Sequence, residues 1–274
     1  MSKKYLKLAA MCVCCFSTGM PLTARAGNGP FFITYGHQFP EPGEVELMLM
    51  NDVGREPDGK SYAAQMLELE IGHTNRWASE IMLEGQKTPG DEYHFTGYRL
   101  ETRARLFENE VPLNPVLYVE YENLSVKTKY QMEVSGRTDA PESERSREHI
   151  LETRLILSQP LSPQTTLAFN WINETDLDSD VTAFGYAIGL SYRLASSGEH
   201  DHHEGHEGVV LGLELYGGLG DSEKFTADSN ITEHYLAPTA MWHLGQGWMF
   251  KGGVSVGLTE PSQDLIRMAV GYEF

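Results

Sequence analysis

The chain has 274 residues, a formal net charge of −18 and 41% hydrophobic residues. That acidity makes it a poor partner for nucleic acid, whose phosphates demand a basic surface. No apolar run approaches the roughly 18 residues a membrane-spanning helix needs. All three cysteines (Cys12, Cys14, Cys15) lie near the start, which excludes disulfides and thiol catalysis beyond them.

Residues 1–26 have the layout of a secretory signal peptide. Lys3, Lys4 and Lys7 form a basic start, 8–16 a short apolar core, and Ala24-Arg25-Ala26 a small-x-small cleavage site. The mature chain is expected to begin at Gly27. The leader carries four basic and no acidic residues, so the mature charge is 17 minus 39, or −22. Residues 27–43 contain Phe31-Phe32-Ile33-Thr34-Tyr35 and the prolines Pro40 and Pro42. This run reads as a short pairing segment or a lead-in to the single domain at 44–274.

From there, alternating runs and turn signals recur with the spacing of an all-β protein. Twelve strands are predicted. Val45, Leu47 and Leu49 mark the first, and Leu67, Leu69 and Ile71 alternate with Glu68 and Glu70 in the second. In the third, Trp77, Ile81 and Leu83 alternate with Glu80 and Glu84. In the fourth, Tyr98, Leu100, Ala104 and Leu106 alternate with Arg99, Glu101, Arg103 and Arg105. Leu117, Val119 and Tyr121 oppose Glu120 and Glu122 in the fifth, and Leu151, Leu155 and Leu157 oppose Glu152 and Arg154 in the sixth. The seventh carries Leu167, Phe169 and Trp171. The eighth sets Phe184, Tyr186, Ile188, Leu190 and Tyr192 against Gly185, Ala187, Gly189, Ser191 and Arg193. Val209, Leu211, Leu213 and Leu215 form the ninth. The tenth, 235–243, contains Pro238, which suggests a bulge or weak pairing. The eleventh opposes Phe250, Val254, Val256 and Leu258 to Lys251, Gly253, Ser255 and Gly257.

The twelfth run closes the sequence. Ile266, Met268, Val270, Tyr272 and Phe274 share one face; Arg267, Ala269, Gly271 and Glu273 share the other. A strand with one fully apolar face invites aggregation at a free edge, whereas a strand that closes a barrel leaves no edge. With its terminal Phe274, Tyr272 two before it and apolar residues at every second position, this ending resembles the C-terminal assembly signal of Gram-negative outer-membrane β-barrels. The resemblance implies an all-β fold: a single antiparallel transmembrane β-barrel of twelve strands in the outer membrane. It implies outer-membrane lipid, lipopolysaccharide and the barrel-assembly machinery as partners. The whole mature chain also resembles, more loosely, the small putative-transporter barrels of the MetA-pathway phenol-degradation group. That resemblance brings no catalytic residue.

In such a barrel apolar side chains face lipid and polar ones line the lumen. With the N-terminus in the periplasm, connections after even strands are periplasmic. His73-Thr74-Asn75-Arg76 and Gly245-Gln246-Gly247 are short; 51–62, 85–94, 124–147, 173–182 and 219–232 are longer and extracellular. The eighth connection, 196–208, stands as the exception: long, yet periplasmic. Val126, Thr128, Tyr130, Met132 and Val134 alternate, so strand five is expected to continue above the membrane to a tip at 139–147. Trp77, Tyr98, Tyr121, Trp171, Tyr192, Tyr235, Trp242, Trp248 and Tyr272 are expected at the membrane interfaces.

Two constellations carry chemistry. Glu199-His200-Asp201-His202-His203-Glu204-Gly205-His206-Glu207 offers His200, His202, His203 and His206 as ligands to zinc or copper(II) in the periplasmic connection. The competing reading is a solvated acidic loop, and no cofactor is required. The second is the lumen. Arg99, Arg103 and Arg105 on strand four face Glu80 and Glu84 on strand three and Glu120 and Glu122 on strand five, where opposite charges are expected to pair across the ladder. They either brace the barrel or select solutes by charge. Enzyme readings fare poorly. A phospholipase-type barrel needs a positioned Ser-His pair, and Gly72-His73-Thr74-Asn75 has Thr, not Ser, after the histidine. A protease rim has only His94 and His149. The expected function is passage of a small solute or ion, with a non-conducting barrel of occluded lumen as the alternative.

Overall fold

The computed structural model describes residues 29–55, 59–90, 92–128, 146–194 and 208–274. Twelve strands form one closed antiparallel barrel in sequential order. They are β1 (Val45–Arg55), β2 (Ser61–Thr74), β3 (Trp77–Lys87), β4 (His94–Arg105), β5 (Val116–Ser125) and β6 (Arg147–Pro160). The second half comprises β7 (Thr165–Asp176), β8 (Thr182–Arg193), β9 (Gly208–Asp221), β10 (His234–Gly245), β11 (Trp248–Gly257) and β12 (Asp264–Glu273). Closure runs through β1 and β12, paired from Glu46 with Glu273 to Arg55 with Asp264. The Phe274 N–H donates to the Val45 carbonyl at 2.9 Å, so the last residue is held by the first strand.

The pleat sorts the wall as the alternation predicts. Leu47, Leu49, Ile81, Leu83, Leu100, Leu213, Ile266, Met268 and Val270 point outward and are exposed; Arg99, Arg103, Glu80, Glu120 and Arg267 point inward and are buried. Call the end where β1 begins and β12 finishes the near end. Trp77, Tyr192, Trp242, Trp248 and Phe274 are exposed there, and Tyr93, Phe95 and Phe225 at the far end. Tyr235 departs from its expected interfacial place. It points inward, fully buried, and stacks on Tyr216 at 5.0 Å between ring centroids.

The strands reach further toward the far end than the alternation suggests. β1 runs to Arg55 and β2 starts at Ser61, β3 runs to Lys87, β7 to Asp176 and β9 to Asp221. Polar residues such as Asn51, Asn173 and Thr175 read as loop in the sequence. In the structure they satisfy their backbone groups in the ladder, as the pairing of Asn51 with Gln65 and of Thr175 with Leu151 shows. β5 behaves oppositely. It stops at Ser125, and residues 126–127 turn instead of continuing the strand. Thr128 closes that turn, its N–H donating to the Ser125 carbonyl at 2.9 Å; Tyr130, Met132 and Val134 lie outside the described residues. At the near end the connection between β4 and β5, 106–115, is long as well, so the eighth is not the sole exception. The β10–β11 hairpin closes on Gln246 and Gly247 with φ of 52° and 81°, the left-handed pair a tight hairpin favours.

Pro238 causes no bulge. It pairs with Leu213 on β9, and the register to β11 is the same on either side of it, Leu236 with Val256 and Thr239 with Gly253. The pairs of Ala237 and Pro238 with β11 are missing, as a residue without an N–H requires. The register shifts lie instead at Gly72/Thr74, Glu84/Gly85, Ala183/Gly185 and His243/Gly245.

Residues 29–43 form no strand; they lie inside the barrel. Phe31, Phe32, Ile33, Tyr35 and Phe39 are buried against wall residues such as Val116, Tyr118, Ile156, Ile172, Ala187 and Tyr216. Two glycines make room. A Cβ on Gly72 would meet the Glu41 carbonyl oxygen at 2.2 Å, and one on Gly189 would meet the Phe31 ring at 2.7 Å. Gly212 on β9 and Gly253 on β11 likewise lie against the rings of Phe31 and Phe32.

The outward apolar face predicts a depth-dependent charge penalty. Leu213 points outward near the middle of β9. Leu213→Arg is expected to cost about 2–4 kcal/mol of stability in lipid vesicles, against a small loss for Leu213→Ala. Urea unfolding in vesicles measures it; an unchanged midpoint for the arginine variant would mean this face does not meet hydrocarbon.

Candidate functional site: the lumen

The lumen is built from one register. Glu273, Glu46, Glu70, Glu80, Glu101, Glu120, Glu152 and Glu174 stand directly opposite one another in turn, across β12 and β1 to β7. Like charges directly opposite are unfavourable. At an effective dielectric near 20, two charges 4 Å apart interact by about 4 kcal/mol. The wall answers with arginines set in the rows on either side of this diagonal.

The Arg99 guanidinium donates to Glu84 at 2.5 Å and lies 3.3 and 3.0 Å from Glu120 and Glu122. Arg103 pairs with Glu70, with Glu101 at 2.7 Å and, more distantly, with Glu80 at 3.9 Å. Arg154 pairs with Glu152. Arg267 holds Asp52 through two parallel bonds of 2.7 Å. The pairing therefore differs from a simple ladder of opposites. Arg103 faces Ala78 and Tyr118 directly; its partners are Glu101 two residues away on β4, Glu80 diagonally across on β3 and Glu70 two strands away on β2. A guanidinium on a long stem reaches past uncharged direct neighbours to such partners.

The same groups grip the N-terminal segment. Glu214 accepts the N–H groups of Phe32, Ile33 and Thr34 at 2.5, 3.0 and 2.8 Å. The Asn170 side chain accepts from the Tyr35 N–H at 2.7 Å and donates to the Tyr35 carbonyl at 2.9 Å. Arg154 donates to the Ile33 carbonyl at 2.8 Å, Arg267 to that of Phe32 at 3.3 Å and Arg105 to that of His37 at 2.8 Å. Tyr35 donates its hydroxyl to Glu101 at 2.9 Å, and the Arg103 guanidinium lies 4.8 Å from the centre of its ring. His37 meets Ser158 at 2.8 Å. Buried backbone groups outside secondary structure are thus satisfied by wall side chains.

Of the residues named from the sequence, the structure brings Arg99, Arg103, Glu80, Glu84, Glu120 and Glu122 together in the lumen wall. It turns Arg105 to the N-terminal segment, over the Phe39 ring at 5.2 Å. Tyr272 and Phe274 stack edge to face at 4.8 Å. His200, His202, His203 and His206 lie outside the described residues. Glu214, Asn170, Arg154 and Arg267 escaped notice as binding residues. Glu214 had a signal: it is the one carboxylate in the apolar run from Val209 to Tyr216.

The Ser-His question has a geometric answer. His73 Nε2 lies 2.7 Å from the Ser79 hydroxyl, six residues on, and the Trp77 ring stacks 4.2 Å from the imidazole. Both sit on the outward face at the near end. Among the described residues no carboxylate or amide holds the other ring nitrogen, so the third member of a triad is missing. His94 is exposed, and His149 is bonded to Tyr121 at 2.8 Å.

No protein-family model matches the chain, and no curated protein sequence is significantly similar to it. Solved structures do resemble it. A KdgM porin in complex with disordered oligogalacturonate aligns at a TM-score of 0.52 and 8% identity, over 84% of this chain and 99% of the porin. An outer membrane channel from Pseudomonas putida F1 aligns at 0.50 and 11% identity, over 85% and 96%. At such identities the likeness is one of fold: the chain shares the closed β-barrel architecture of outer-membrane porins and channels.

Proposed function

We propose that the chain is an outer-membrane β-barrel through which a small solute or ion passes once the segment at 29–43 leaves the lumen. The observation that carries this reading is the wall: an apolar outside around a charged inside, the reverse of a soluble barrel. The porins and channels of like fold support it. Acidic side chains outnumber basic ones on the inward face, so the pathway favours cations. In this reading residues 1–26 are the secretion signal, Phe274 and Tyr272 the assembly signal, and the near end the periplasmic one. The likeness to the MetA-pathway phenol-degradation barrels belongs to the same reading. So does the absence of enzymatic activity: the His73–Ser79 and His37–Ser158 contacts have no third member of a triad among the described residues.

A second reading has its own support. The segment is held by Glu214, Asn170, Arg154, Arg267 and Arg105, an investment consistent with a permanently filled, non-conducting barrel. Planar-bilayer conductance separates the two. The full chain is expected to be nearly silent, and a variant lacking 29–43 to conduct with cation preference. An assembled deletion variant that stays silent would establish the second reading and end the first.

Assembly supplies another test. Phe274→Asp is expected to reduce heat-modifiable barrel in the outer membrane strongly; normal levels would show that the terminal ring is not a signal.

The metal relation rests on the histidine tract. Zinc or copper(II) is expected to bind the mature chain from Gly27 on, fading as imidazoles protonate below about pH 6. Joint replacement of His200, His202, His203 and His206 by alanine should remove most of that zinc or copper binding. Equal uptake in calorimetry would rule the tract out.

A further inference from the structure

Two carboxylate triads are buried in the wall, and they are not equivalent. In each, one oxygen from every member lies within 4.8 Å of the others. Glu120, Glu122 and Glu152 are matched by cations and a hydroxyl. Arg99 reaches Glu120 and Glu122, Arg154 pairs with Glu152, and Tyr118 donates to Glu120 at 3.0 Å. Among the described residues, Glu70 and Glu80, on β2 and β3, pair with Arg103, which is shared with Glu101, and no ion pair reaches Glu68.

In both triads some buried oxygens have no hydrogen bond among the described residues. Those of Glu122 and Glu152 lie on carboxylates paired with Arg99 and Arg154, whereas the second triad has one guanidinium in reach. Both carboxylate oxygens of Glu80 and one of Glu70 are buried with no hydrogen bond among the described residues. Glu46, outside the triad, repeats the pattern. It stands directly opposite Glu70 in the ladder, it is 1% exposed, and one of its oxygens is also buried without a partner. The buried Lys251 ammonium acts on Glu46, but the triad itself is set among apolar side chains. Met48 and Met82 flank Glu68 on either side, and they belong to a buried cluster with Met50, Met66, Met241 and Met249. Thioethers and methyl groups do not solvate a carboxylate.

We propose that Glu68, Glu70 and Glu80 bind one divalent metal cation through carboxylate oxygens. The spacing fits. Oxygen ligands 2.3–2.6 Å from a common ion lie at most about 5 Å from one another. An all-carboxylate set selects hard cations of the calcium and manganese(II) class over copper(I) or other soft ions. The cation neutralises the excess charge that Arg103 leaves and takes up the unpartnered oxygens. It ties β2 and β3 together beside the N-terminal segment, since Arg103 also stacks on Tyr35 and Phe39. The site does not depend on whether the barrel conducts, and it is separate from the histidine tract.

Manganese(II) is the probe, because its electron paramagnetic resonance distinguishes bound from free ion. The full chain is refolded into detergent with manganese(II) present at neutral pH, alongside a chain with His200, His202, His203 and His206 all replaced by alanine. One tightly held ion per barrel is expected in both. Glu80→Gln should weaken binding about tenfold or more, and Glu70→Gln likewise. Heat-modifiable migration reports whether each variant has assembled; Glu68→Gln replaces any that has not. A folded barrel that holds no manganese(II) overturns the proposal, because the triad is then neutralised by protons. So does an unchanged affinity in the assembled glutamine variants, or binding that disappears with the four histidines.

Discussion

The arrangement of this barrel depends on a backbone that has to be satisfied where no strand can satisfy it. Residues 29–43 run through the lumen, and their N–H and C=O groups face a wall instead of a neighbouring ladder. One carboxylate, Glu214, takes three consecutive N–H groups, and Asn170 takes both polar groups of Tyr35. Three arginines take carbonyls of Ile33, Phe32 and His37. The segment has no secondary structure of its own, so these side chains set its path.

That demand explains why the inward face divides into two kinds of wall. β8 and β9 present Gly189 and Gly212 to the segment, β11 presents Gly253, and aromatic rings from Phe31 and Phe32 fill the space. β1 to β7 present charge. The arginines serve two roles at once: Arg154 and Arg267 each hold a wall carboxylate and a segment carbonyl. Removing one such arginine would strand a buried carboxylate and release a backbone group together, so the two parts are energetically coupled.

The charged half carries an imbalance of its own. A diagonal of glutamates crosses eight strands, with arginines concentrated on part of it. Where Arg99 and Arg154 stand, the carboxylates are matched. Around Glu68, Glu70 and Glu80, with methionines beside them, Arg103 is the one guanidinium in reach among the described residues. A buried charge without a partner is among the costliest features a fold can hold, and a bound cation resolves it without a further basic side chain.

Much of the architecture was legible in the sequence. The period of two assigned each side chain to the outside or the inside, because the pleat leaves no third choice. The terminal run from Ile266 to Phe274 announced a strand that needs a partner, and the number of alternating runs set the strand count. What the sequence left open was everything that depends on register and on chain path. Whether Glu80 meets Arg99 or Glu101 is decided by pairing between strands, which alternation within one strand does not encode. The glutamate diagonal, the reach of Arg103 to Glu70 and the discovery of Ser79 beside His73 all follow from it. The place of residues 29–43 was hidden for a different reason. Phe31 to Tyr35 is apolar on both faces, and such a run reads alike whether it pairs as a strand or packs within a core. Only the closed wall, with Gly72 open at its edge and Glu214 facing inward, decided that it packs inside.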